Sequence, residues 1–172
     1  MRHPLSDASR GTGIGPAAQG ALVIGVGNPY RRDDAAGLVA ARRLCEAARD
    51  EALLCEASGE GTALIEAWQG ADAVILIDAV RSGVPAGTIY QVDARAETVP
   101  LAWFRHSTHA FSVAEAIELA RALDRLPPRL IVFAVEGKHF DAGASLSPEV
   151  ERAVKELVRR GIEEIGGTTR GV

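Results

Sequence analysis

Two kinds of apolar spacing alternate along this chain. Short continuous or alternating runs at 21–26, 52–57, 73–77, 88–92 and 129–135 predict strands. Between them, apolar residues recur at helical spacing. Leu38, Ala41, Leu44 and Cys45 mark a helix over about 34–48, and Leu64, Ile65 and Trp68 mark a short one over 62–69. Val113, Ile117, Ala120 and Leu123 mark a third helix, which Ser107 or Thr108 could cap. Ser147-Pro148-Glu149 is a helix start, with a cap, a proline in the first turn and an acid behind it. It opens a last helix with Val150, Val154, Leu157 and Val158 on one face. The run 73–77 is apolar throughout, as in a buried central strand, and Asp78 ends it. The run 88–92 alternates, as at a sheet edge.

The order βαβαββαβα predicts a single three-layer α/β domain. Its core is a mostly parallel, twisted five-stranded sheet with helices on both faces. The domain is expected over 20–165. Residues 1–19 lack apolar periodicity and read as a disordered leader; 166–172, opening on Gly166-Gly167, read as a frayed tail. With 172 residues and 47% apolar content, one sizeable core is within reach. The net charge of −4, without a basic stripe, argues against nucleic-acid binding. No apolar run reaches membrane-spanning length, so no membrane association is expected. Cys45 and Cys55 form no CxxC pair and lie in apolar patterns, which fits core positions in a reducing, cytoplasmic setting.

The first strand leads into Gly25-Val26-Gly27-Asn28-Pro29-Tyr30-Arg31-Arg32-Asp33-Asp34-Ala35-Ala36-Gly37. This reads as strand, tight loop, helix. Tyr30 stands where a dinucleotide fingerprint needs glycine, and no P-loop occurs. Two acids there would also repel phosphate. Asp33 and Asp34 either charge and cap a helix start or place a carboxylate at the mouth of the sheet. Ligands of such sheets bind outside the carboxyl ends of the strands. Asp34 after strand one, Asp78 at the end of strand three and His109 before helix three all fall there. Two carboxylates and an imidazole suit a borderline divalent metal. They equally suit an acid, a base and an orienting group. His106 and His139 compete with His109 for the imidazole role. No GxSxG elbow is present.

Five segments in order, GVGNPYRRDDAAG, VILIDAV, HSTHAFSVAEAI, FAVEG and LSPEVERAV, resemble the hydrogenase maturation proteases. These endopeptidases trim the C-terminus of the large subunit of nickel–iron hydrogenases. The resemblance covers about residues 20–160. It implies an aspartic-type peptidase in which Asp34, Asp78 and His109 serve as catalytic and metal-engaging residues. It also implies that no cofactor is permanently bound, and that the trio meets nickel already loaded in the precursor. The implied partner is the [NiFe]-hydrogenase large-subunit precursor, met by a monomer. One departure is the loop Ala57-Ser58-Gly59-Glu60-Gly61-Thr62, where many members carry an Asp-Gly-Gly-Thr type sequence. Two other readings share some of these features. A peptidyl-tRNA hydrolase also begins with a Gly-x-Gly-Asn-Pro turn, but needs an asparagine–histidine dyad and a basic tRNA surface. A non-enzymatic nickel carrier would use the same trio without cutting.

Overall fold

The apolar runs form one sheet from β1 (Ala21–Val26), β2 (Ala52–Ala57), β3 (Ala73–Val80), β4 (Ile89–Asp93) and β5 (Arg129–Glu136). This computed structural model describes residues 20–104 and 112–169. Among them are the helices α1 (Ala36–Ala48), α2 (Gly61–Ala67), α3 (Val113–Ala122) and α4 (Pro148–Thr169). The strand order is β2-β1-β3-β5-β4. All neighbours are parallel except β4, which runs antiparallel on β5 at the edge.

Successive side chains of a strand point to opposite faces, and the core divides accordingly. Val74, Leu76, Val80, Leu130, Val132 and Ala134 pack with the apolar sides of α2 and α3. Ala73, Ile75, Ile77, Ile131, Phe133 and Val135 pack with those of α1 and α4. Leu76, Ile77 and Phe133 have no exposed surface, and each contributes about 1.5–3 kcal/mol through burial. Because β3 is covered on both faces, it tolerates a charge only near its end, at Asp78.

Several boundaries differ from the sequence expectation. β3 does not stop before Asp78. It continues to Val80, because β5 supplies partners as far as Glu136, and Asp78 pairs with Ala134 inside the sheet. α1 starts at Ala36, after a 3-10 turn at Arg32–Ala35. α3 is capped by Ser112, whose hydroxyl accepts from the Glu115 N–H while the Glu115 carboxylate accepts from the Ser112 N–H. Ser107 and Thr108, the expected caps, lie outside the described residues. Leu123 falls just past the end of α3 and is 54% exposed, so it is not part of the apolar face. α4 runs through Gly166 and Gly167 to Thr169, because Ile165 is buried beneath its final turns. The leader 1–19 and residues 170–172 lie outside the described residues. No helix among the described residues is long and apolar enough to cross a membrane.

Candidate active site

Two glycines bring the first acid to the sheet edge. Gly27 leaves β1 at φ +146°, a left-handed conformation that disfavours side chains. A Cβ there would lie 1.9 Å from the Asp34 carbonyl oxygen. A Cβ on Gly37 would lie 2.2 Å from the Val26 oxygen and 2.4 Å from the Ile77 oxygen. The first turn of α1 therefore rests directly on β1 and β3. The 3-10 turn that carries Asp34 is held over the end of β3, beside Asp78.

Asp34 and Asp78 line one cleft of about 270 Å³ at the carboxyl edge of the sheet. Asp78 is 8% exposed. Burial, then the charge of Asp34, push its carboxyl up to about 7, against a smaller opposing effect from the Ala79 N–H that donates to it at 2.8 Å. The charge of half-buried Asp34 thus disfavours ionisation of buried Asp78 beside it. Such a pair holds a proton or a cation more tightly than either acid would alone. The other walls are apolar and aromatic: Val26, Val80, Trp103, Phe104, Val113 and Phe140. Arg31 and Arg81 also reach it.

His109 lies outside the described residues, as does His106. Phe104, just before that stretch, and Val113, which follows Ser112 just after it, both line the cleft. His139 is exposed and is not among the cleft-lining residues. Its backbone serves Asp33 instead. Among the described residues no group of three or more His, Cys, Asp or Glu side chains is arranged to hold a metal ion. Cys45 and Cys55 are half-buried, with thiols pushed up by burial, and neither lines the cleft.

Neither acid of the Asp33-Asp34 pair caps a helix: no side-chain cap is made at the 3-10 turn or at α1. Asp33 has a different role that the sequence did not reveal. It is completely buried. It accepts from the Lys138 and His139 N–H groups at 2.8 and 2.9 Å, and from the Ser147 N–H and hydroxyl at 2.6 and 3.0 Å. The Asp33 N–H donates in return to the His139 carbonyl at 3.0 Å. Burial pushes this carboxyl up, but the bonds from Ser147, His139 and Lys138 outweigh it and hold it below the ordinary aspartate value. Asp33 therefore ties the segment between β5 and α4, including Phe140, against the turn that carries Asp34.

Glu136 does comparable work for the loop that follows β3. It is 1% exposed and accepts from the Ser82 N–H, the Ser82 hydroxyl and the Gly83 N–H at 2.8–3.0 Å. The Ser82 hydroxyl lies 3.0 Å from the Tyr90 hydroxyl, and the Tyr90 ring stacks on Trp103 at 4.3 Å. A charge at the end of an apolar strand was the signal that marked Asp78. The same signal at the end of β5 could have marked Glu136.

The fold and site define an α/β protein with a paired-carboxylate cleft outside the carboxyl ends of a mostly parallel sheet. The family model for hydrogenase maturation proteases matches residues 40–164. The chain belongs to the hydrogenase maturation protease family. It is 29% identical over 161 residues to the hydrogenase expression/formation protein HupD of Rhodobacter capsulatus, covering 86% of this chain and 76% of that protein. It is 27% identical over 147 residues to HupD of Thiocapsa roseopersicina. That match covers 83% of this chain and 66% of the relative's length. The hydrogenase maturating endopeptidase HybD from E. coli has the same fold, with a TM-score of 0.70 at 22% identity, covering 86% of this chain and 93% of HybD. The peptidyl-tRNA hydrolase alternative falls with this family membership.

Proposed function

We infer that this chain is an endopeptidase that removes the C-terminal extension of a [NiFe]-hydrogenase large-subunit precursor after nickel has been inserted. One observation carries the reading. In a member of this family, Asp34 and Asp78 converge in a single cleft, and Asp78 there is pushed up to about 7 by burial and by Asp34. Near neutral pH the site is therefore poised to trade a proton for a cation. The nickel is part of the substrate, and the chain keeps no cofactor of its own. Asp34, Asp78 and His109 complete its coordination, an O/O/N set suited to a borderline divalent ion. Engaging the nickel aligns the tail in the cleft, and a carboxylate of the pair activates water for attack on the scissile carbonyl. This makes the enzyme aspartic-type in its chemistry. It acts as a monomer in the cytoplasm, where its substrate matures.

The test is cleavage of nickel-loaded precursor by Asp34→Ala, Asp78→Asn and His109→Ala, followed by the mass of the large subunit. Each variant is expected to remain folded and lose cleavage. Wild-type rates in all three would remove the trio from the mechanism. A nickel carrier of the same build would bind the loaded precursor and leave its mass unchanged.

A further inference from the structure

A second cavity of about 280 Å³ adjoins the first, and the two share Gly27, Arg31 and Asp34. Together they make a groove that passes over Asp34. One side is the apolar and aromatic cleft already described. The other is bordered by Asn28, Ser58 and Tyr30, which is 79% exposed. Arg31 stands at the junction. Its Nε donates to the Phe140 carbonyl at 2.9 Å, and its backbone is bridged to Gly143. The side chain is half-buried and pinned at one edge of its guanidinium. Among the described residues its terminal nitrogens, Nη1 and Nη2, have no hydrogen-bond or ion-pair partner. Its neighbour Arg32, by contrast, is paired with Asp141 at 3.0 Å.

We propose that Arg31 is the specificity-determining residue of this second cavity, and that it binds a carboxylate of the substrate peptide on the side of the cut away from the aromatic cleft. This rests on the peptidase reading above. A guanidinium whose Nε is occupied still presents two parallel N–H groups, the geometry that grips a carboxylate through both oxygens. Pinning by the Phe140 carbonyl removes much of the side-chain entropy that binding would otherwise cost. The carboxylate comes either from an acidic side chain near the cut or from the end of the tail.

The experiment compares wild type, Arg31→Gln and Arg31→Lys on the nickel-loaded precursor. Parallel precursors carry each acidic residue near the cut changed to its amide, or a lengthened tail that displaces the terminal carboxylate. Arg31→Gln is expected to raise KM about tenfold or more, with kcat changed less than about twofold. One altered precursor should show the same rise with wild type and no further rise with Arg31→Gln, which identifies the carboxylate. Arg31→Lys also loses the Phe140 bond but keeps the charge, so it should fall between the two. An unchanged KM in Arg31→Gln would overturn the proposal. So would Arg31→Lys as impaired as Arg31→Gln, or an Arg31→Gln defect that persists on every altered precursor. If wild type cleaves nothing, the peptidase reading fails on its own. Calorimetric titration with a synthetic peptide spanning the tail junction then decides the subsite: weaker binding by Arg31→Gln supports it, and equal binding overturns it.

Discussion

Ser147 bonds Asp33 twice, its N–H to Oδ1 at 2.6 Å and its hydroxyl to Oδ2 at 3.0 Å. The same serine opens α4, accepting from the Glu151 N–H at 2.9 Å. One residue thus fastens the start of the last helix to the turn beside the first acid of the cleft. Two widely separated parts of the sequence become one wall of the site through a single buried carboxylate.

Asp33→Ala is therefore expected to cost more than about 3 kcal/mol, since it leaves several buried donors unpaired. Chemical denaturation against wild type checks this. The pH dependence has a fixed sign. The folded-state value of Asp33 is depressed, so its contribution is present above the ordinary aspartate value of 3.8 and is lost as pH falls below it. Asp33→Ala should therefore flatten the acid limb of the wild-type stability curve.

Asp78 has the opposite sign. Its carboxyl is raised from 3.8 to about 7, so the folded protein holds the proton more tightly than the unfolded chain. That contribution is complete below pH 4 and is lost as pH rises towards 7. Asp78→Asn keeps the shape and the acceptor for the Ala79 N–H while removing the charge. It should gain stability over wild type as pH rises from about 4 to 7, by at most about 4 kcal/mol. Thermal melts across that range read the difference. A gain independent of pH would contradict the coupling of Asp78 with its surroundings.

Gly37→Ala should be strongly destabilising, by about 2–3 kcal/mol or more, because the added carbon meets backbone oxygens that cannot step aside. It should also lower cleavage, since relief of the clash lifts the turn bearing Asp34 away from Asp78. A variant as stable and as active as wild type would show that α1 does not set the distance between the acids.

Glu136→Gln keeps the volume of the side chain but weakens its grip on three donors from Ser82 and Gly83. A stability loss of about 1–3 kcal/mol is expected. A red-shifted tryptophan emission should accompany it if the Ser82–Tyr90–Trp103 chain transmits the change and loosens half-buried Trp103. Unaltered fluorescence would confine Glu136 to holding its loop.

Most of the fold was legible because buried parallel strands are short apolar runs, and β1 and β2 fell at their expected bounds. The alternation of Tyr90 and Val92 placed β4 at an edge, where it is found. Asp78 was marked by its contrast with the apolar run before it, although the strand continues two residues beyond it. Asp33 was not separable from Asp34. The two are adjacent and chemically identical, and only the return of the chain at Lys138, His139 and Ser147 gives them different partners. The reach of α4 past two glycines was also hidden, because helix propensity there is overridden by burial of Ile165.

The central claim is nickel-dependent cleavage, and mass spectrometry of the hydrogenase large subunit tests it most directly. Purified protein is mixed with precursor that carries nickel and with the same precursor prepared without it. The account predicts loss of the C-terminal extension from the loaded precursor alone. Equal cleavage of both forms, or of neither, would contradict it.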